Sequence, residues 1–433
     1  MGFQQGLSGL NAASKNLDVT GNNIANASTV GFKMGQAQFA DMYANSMNRS
    51  GNSPVGIGVS TANVAQQFVQ GNITPTNNPL DIAINGDGFF RMVSGTDNQT
   101  PMYGRNGQFQ LDKNGFIINP SENGAFLTGL PAGVTGGDPV PIKIDTSSIP
   151  AVQTTTASDV LNLDSRDAVI TTPFDFTDES TYSDTTGMTV YDSLGNSHNI
   201  QTFYRKSAVV VGSPALPGPP PVPAVAPSTS WEVFATVDGQ PSPAIVTPPG
   251  TQTPIGTMTF DANGISTAAP GADTFNVSIA ANGGANAFTV PIDYTGTIQS
   301  GATFAELARA QNGKQPGTLT GFEIGQDGAI TGSYSNGLTR NLGTVVIANF
   351  ANPNGLQPIG NNLYAPGAAA GEALIGRPTS GGLGSLQARA TEDSNTDLTA
   401  ELVNLIVAQR VYQANAQTIK AQDTILQTVV NGL

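Results

Sequence analysis

The sequence predicts a mainly β chain with α-helical termini, in which two coiled-coil-like helices enclose two or three β-rich domains. Three observations carry this prediction. Large apolar residues recur every seven positions at both ends: Phe3, Leu10, Leu17 and Ile24 at the start, and Leu398, Leu405, Tyr412, Ile419, Leu426 and Leu433 at the end. Such a repeat keeps one narrow stripe along a helix, the seam of a coiled coil. The long middle lacks the repeat and reads as short alternating runs broken by glycine turns. Helices at both ends describe a chain that leaves one place and returns to it, which suits a subunit of an assembly better than a free enzyme.

The first helix is expected from about Phe3 to Asn26, with Leu7 joining the stripe one turn after Phe3. Gly6, Gly9 and Gly21 give it poor intrinsic propensity, so packing must hold it. The second is expected to begin after Ser394, with Asp397 three residues on in a capping-box-like pattern, and to run to about Asn431, with Gly432 as the stop. Leu402, Ala416 and Val430 flank its stripe, together with the polar Gln409 and Asp423, which favour a defined register. On pattern alone two readings stand side by side: a bundle packed on the chain's own core, and assembly between copies. Lys15 is the only base in the first helix, and Arg410 and Lys420 the only ones in the second, too few for a membrane-surface helix.

Between them, Asp81–Val93 reads as strand, glycine turn, strand. Gln108–Ile118 reads as a hairpin with Asn114-Gly115 at its turn, and Gly321–Gly332 as another around Asp327-Gly328. Gly343–Phe350 reads as a buried strand, and residues 160–310 as a separate sandwich or barrel. Seven prolines between 214 and 227 predict a stiff exposed loop.

Composition narrows the function classes. Charged residues are only 11% of the 433, against about 25% in ordinary domains. A polar but weakly charged surface packs against neighbours at low desolvation cost. The net charge of −14 argues against nucleic acid. No apolar run approaches the roughly 18 residues of a membrane span, and no cleaved signal is visible at the start. There is no cysteine, which removes disulfides, thiolate catalysis and Cys-based metal sites. The single histidine, His198, sits in Gly195-Asn196-Ser197-His198 and reads as a turn or surface residue, with no Gly-x-Ser-x-Gly to serve. Nine acids between Asp145 and Asp192 face one base, Arg166. They read as a solvated outer face, or more sharply as a calcium site, although no loop has ligand spacing with the required glycine. No catalytic residue, cofactor or metal is expected.

The strongest local signal is Asn22-Asn23-Ile24-Ala25-Asn26-Ala27-Ser28-Thr29-Val30-Gly31-Phe32-Lys33. Asparagines end helices well, and Gly31 permits a sharp turn. The string also resembles the signature of bacterial flagellar axial proteins. Further blocks extend the likeness. Leu80–Phe90 is similar to hook and distal rod proteins. Met188–Asn196 resembles an outer-domain segment of hook proteins, and Asn395–Asn431 their C-terminus. The chain is identified as a member of the flagellar hook protein family.

The resemblance implies a nested subunit: residues 1–30 and 395–433 in a helical inner tube, 31–80 and 371–394 as a connecting segment, 81–155 and 311–370 as an inner β-domain, and 156–310 as an outer β-domain. It implies polymerisation into a curved tube, a universal joint between rod and filament, extracellular and exported by the type III route without a cleaved signal. It also implies partners: further copies, the distal rod protein, the hook cap, the hook–filament junction proteins, the export apparatus and the hook-length control protein. Two rivals are a distal rod-type axial protein and a secreted carbohydrate-binding or hydrolytic β-protein.

Overall fold

The structure, a computed structural model, describes residues 2–42, 56–95, 100–122, 124–134, 136–214, 225–242 and 252–431. Leu433, Gly432 and most of the proline loop lie outside the described residues. The chain divides into two compact units. One comprises Met1–Thr146, Thr320–Ser333 and Thr339–Leu433, and the other Ser147–Leu319 and Tyr334–Leu338.

The first unit holds both helices. Helix α1 (Gly2–Ala25) and helix α2 (Leu398–Asn431) match the expected spans within a residue or two. The start of α2 differs in its cap. Asp397, not Ser394, is the N-cap: its Oδ1 accepts from the backbone N–H groups of Thr399 (2.9 Å) and Ala400 (3.2 Å). Ser394 Oγ instead accepts from Thr396 N–H, one turn too early. A carboxylate also suits the positive end of a helix.

Strands β1 (Gly35–Met42) and β2 (Gly58–Gln66) form an antiparallel ribbon beside α1. Gln5 Nε2 donates to Gly56 O (2.6 Å), and Ser8 Oγ accepts from Val59 N–H (3.3 Å). Strands β3 (Ile73–Pro75) and β4 (Ile82–Asn85) then pair antiparallel with the returning chain, β3 with Ala390–Glu392 and β4 with Ser385–Ala388. The outgoing and incoming chains are therefore stitched together just before the helices.

Strand β5 (Phe89–Val93) does not turn back on β4 as Asp81–Val93 suggested. Gly86 and Gly88, at φ +102° and +132°, swing the chain into another sheet, where β5 pairs with β6 (Pro101–Gly104) and Ala125–Pro131. The run Gly343–Phe350 is buried but broken into Thr339–Val345 and Ile347–Asn349, which pair with different strands. The hairpin at Asn114-Gly115 forms with Gly115 at φ +84° and Asp112 Oδ1 accepting from Asn114 and Phe116 N–H. The Asp327-Gly328 turn also forms, with Gly325 N–H donating to Ala329 O (2.8 Å).

The second unit consists of two five-stranded sheets. They share a core that includes Leu161, Leu163, Tyr204, Trp231, Phe260 and Tyr294. The proline-rich segment joins strands Ser197–Val210 and Ser228–Val237, and a bridge between Ser213 and Val225 closes its ends.

Two surface assignments from sequence are corrected here. His198 is buried, with Nδ1 2.6 Å from Asp238 Oδ2 and Nε2 3.6 Å from Asp192 Oδ2. Its strand alternation turns it inward at the edge of a sheet. Among the acids, Asp159, Asp164 and Asp192 are buried rather than solvated. Asp192 holds its own turn by accepting from Leu194 and Asn196 N–H, and these local bonds pull its carboxyl below the usual range against the opposing effect of burial. Asp164 takes both the Nε and Nη2 donors of Arg166, which with the backbone N–H of Arg166 brings its carboxyl down to about 2. Asp184, desolvated near Asp167 and Asp164, rises to about 6. Among the described residues no cluster of acids or histidine is arranged to hold a metal ion.

Candidate assembly interface

Helices α1 and α2 pack antiparallel. A side-chain carbon on Gly6 would lie 2.9 Å from Ile419 Cγ1, and one on Gly9 would lie 2.9–3.0 Å from the Asn415 amide. At the other end Asn23 meets Glu401. The glycines that weaken α1 as an isolated helix are thus what lets α2 approach. The residues of α1 buried in this arrangement are small or polar and also seven apart: Gly6, Ala13 and Thr20.

The predicted stripe divides accordingly. Leu10, Leu17, Ile24, Leu405 and Ile419 are half-buried beside the seam. Phe3, Leu7, Leu398, Leu402, Tyr412 and Leu426 remain exposed, and with them Val403, Ile406, Val407, Val411 and Ile425. Residues 403, 407 and 411, four apart, form a continuous row on one side of α2. A helix of 34 residues, about 51 Å long, therefore carries a large uncovered apolar surface, which in soluble proteins marks a contact site.

The motif after α1 is a hub for the returning chain. Asn26 N–H and Asn26 Nδ2 both donate to Asn22 O, and Thr29 Oγ1 donates to Asn26 Oδ1. Ala25 is exposed where the helix frays, and Phe32 is half-buried. Gly31, at φ +71°, donates to Glu392 O (2.7 Å). A Cβ there would sit 2.5 Å from Asn106 N. Gly31→Ala should therefore destabilise the first unit by at least about 2 kcal/mol, combining left-handed strain with a backbone clash. Urea unfolding would show this as an earlier first-unit transition.

Lys33 is fully buried. Its Nζ donates to Glu392 Oε1 (2.5 Å) and Val69 O (2.8 Å). Arg105 Nη1 donates to the other oxygen, Glu392 Oε2 (3.2 Å), and Gly71 N–H adds a fourth bond to Oε1 (2.8 Å). Burial lowers the Lys33 pKa, partly offset by Glu392 and reinforced by the Arg105 charge. Asn395 bonds Met34 N–H and donates to Gln67 O, and Asn362 Nδ2 donates to Val30 O. Sequence reasoning found Lys33 but missed Arg105, Glu392, Asn395 and Glu401. Their importance lies in what they meet across the fold, and nothing local marks them.

A cleft of about 510 Å³ opens beside the motif, lined by residues that include Asn22, Asn26, Thr29, Phe32, Asn106 and Asn362. It presents amides and hydroxyls with no acid–base pair, so the features concentrated here are those of packing and registration.

Family models match along the chain: "Flagella basal body rod protein" over residues 3–33, "Flagellar hook protein FlgE/F/G D1 domain" over 83–160, "Flagellar basal body protein FlaE D2 domain" over 162–314, and "Flagellar basal body rod FlgEFG protein C-terminal" over 387–433. The flagellar hook protein FlgE of Salmonella typhimurium is 41% identical, with 100% of each chain covered. That of Escherichia coli is 40% identical over all of this chain. That of Treponema pallidum is 32% identical, covering 98% of each. The chain belongs to the flagellar hook protein FlgE family. The D2-domain match of that family falls within Ser147–Leu319, and the two terminal matches carry α1 with its motif and α2. End-to-end likeness to FlgE proteins sets aside the reading as a secreted carbohydrate-active domain.

Proposed function

We propose that the chain is a structural subunit of the flagellar hook. It polymerises through α1 and α2 into the inner wall of a curved tube that transmits torque from rod to filament and encloses the export channel. The observation that carries this reading is the uncovered apolar surface of α2 beside a tightly packed α1 seam: one face closes the subunit and the other is left for the next copy. Phe3 and Leu7 extend that surface at the end of α1. The wall of weakly charged β-structure outside would slide during rotation. The subunit works outside the cell and is exported without a cleaved signal. It meets the distal rod protein, hook cap, junction proteins, export apparatus and hook-length control protein. It has no catalytic role.

Negative-stain microscopy of the full chain in polymerising salt tests this. Ile406→Asp and Ile425→Asp, both on exposed positions, should leave the subunit folded and raise the critical concentration for tubes by at least about tenfold, since a buried unpaired carboxylate costs more than 1.4 kcal/mol. Leu17→Asp and Leu405→Asp, beside the seam, should abolish tubes. Normal tubes from all four would sink the reading.

A further inference from the structure

Asn23 is the motif asparagine whose side chain is buried, and it faces three elements at once. Its Nδ2 donates to Gly35 O (2.8 Å), and its Oδ1 accepts from Gly35 N–H (2.9 Å). The amide thus pairs with the first residue of β1 as a neighbouring strand would. The same Nδ2 also donates to Glu401 Oε2 (3.2 Å) in the first turn of α2. Glu401 is buried as well, and its Oε1 accepts from Asn404 Nδ2 (3.1 Å).

Away from this contact the seam carries little that distinguishes one alignment from the next. On α1 it runs Gly6, Ala13, Thr20, and on α2 it runs Ala408, Asn415, Gln422, each seven apart. A slide by seven residues would set small or amide side chains against small or amide side chains again. It would, however, strip Glu401 of its amide partner inside the seam. A single buried polar pair in an otherwise permissive seam is how helical pairs select register.

We propose that Asn23 and Glu401 form a register key, which selects the alignment of α1 on α2 and ties the β1–β2 ribbon to it. The key rests on the assembly reading above and deepens it, because it fixes the height at which Val403, Val407 and Val411 are offered to the next copy. Asn23 is a positioning residue: it acts through Glu401 and Gly35 and leaves the outward surface itself untouched.

The test uses the full chain with Asn23→Asp, Glu401→Gln and the double variant. Asn23→Asp keeps the size and the acceptor for Gly35 N–H, but sets a carboxylate against Glu401 and Gly35 O. It should raise the critical concentration for tubes about tenfold or more. The double variant restores a donor–acceptor pair with the roles exchanged, and should return within about threefold of Glu401→Gln alone. Register is read separately by cross-linking, which the cysteine-free sequence makes unambiguous. Gly9→Cys with Asn415→Cys reports the observed alignment, and Gly9→Cys with Ala408→Cys reports a slide of one heptad. Asn23→Asp should move cross-linking from the first pair toward the second, and the double variant should move it back. The unfolding transition of the second unit serves as a folding control. The key is overturned if Asn23→Asp assembles and cross-links as the parent does, or if the double variant fares no better than Asn23→Asp. A parent chain that makes no tubes would defeat the assembly reading, and the cross-linking pattern would then decide the key alone.

Discussion

Glu392→Gln should be among the most damaging single substitutions in this chain, costing about 3–5 kcal/mol of first-unit stability at neutral pH. The carboxylate it removes compensates two cations, Lys33 at 2.5 Å and Arg105 at 3.2 Å, in a site closed to solvent. Removing it leaves both cations buried, with only carbonyls and the Phe89 ring, 5.4 Å from the guanidinium, to face. Lys33→Met should cost less, about 1–3 kcal/mol, because Glu392 keeps Arg105 and Gly71 N–H. The order of the two separates a buried-charge effect from simple loss of a contact, since both variants delete the same 2.5 Å bond.

The sign of the pH dependence follows from Lys33. Its folded pKa lies below that of the free side chain, so the unfolded chain binds the proton more tightly and stability from this group rises with pH. Without Glu392 the lowering deepens. The deficit of Glu392→Gln relative to wild type should therefore shrink as pH climbs toward the ordinary lysine range. Parallel urea titrations of variant and wild type at pH 7 and pH 9.5 measure it. A deficit that stays constant would show that Lys33 keeps its charge throughout.

How far the fold was legible depended on range in sequence. The helices were found because a seven-residue period is local, and the Asn114-Gly115 and Asp327-Gly328 turns because glycine carries its own backbone signal. Asp81–Val93 misled because two adjacent strands with a glycine turn look like a hairpin. Whether they pair is decided by β4 meeting Ser385–Ala388, some three hundred residues away. The seam failed similarly: the large residues drew attention, yet the contact is made by Gly6, Gly9 and Ala13, whose value is the absence of bulk. His198 and Asp192 looked like loop polarity because burial of a charged residue is settled by its partners. The Glu392 cluster was invisible for the same reason, with Lys33, Arg105 and Glu392 scattered over 360 positions.

Replacing Glu122 should stabilise the protein, although it lies deep in the first unit. Glu122 is 1% exposed, and neither carboxyl oxygen has a hydrogen-bond partner. It follows a tight 3-10 turn, Pro120–Glu122, and presses on β6, where a Cβ on Gly104 would lie 2.9 Å from Glu122 Oε1 and 3.0 Å from Met92 Cε. Glycine at 104 leaves the room that the acid occupies. Burial alone pushes the Glu122 pKa up to about 9, so the side chain is neutral in the folded state at pH 7 while the unfolded chain ionises it. For a raised carboxyl the contribution to stability is fully present below the unfolded value of 4.5 and is lost as pH rises toward the folded value. Between those limits the loss accumulates at about 1.4 kcal/mol per pH unit. Glu122→Gln removes the titration but buries an amide, at about 1–3 kcal/mol, and Glu122→Met removes both. The stability difference between Glu122→Met and wild type should therefore be small near pH 4.5, grow along that slope and level off above about pH 9, with Glu122→Gln parallel and lower. Urea unfolding from pH 5 to pH 10 gives the curve. A difference independent of pH would mean that Glu122 is ionised and has found a partner in the folded chain, and the core around β6 would have to be rebuilt around a charge.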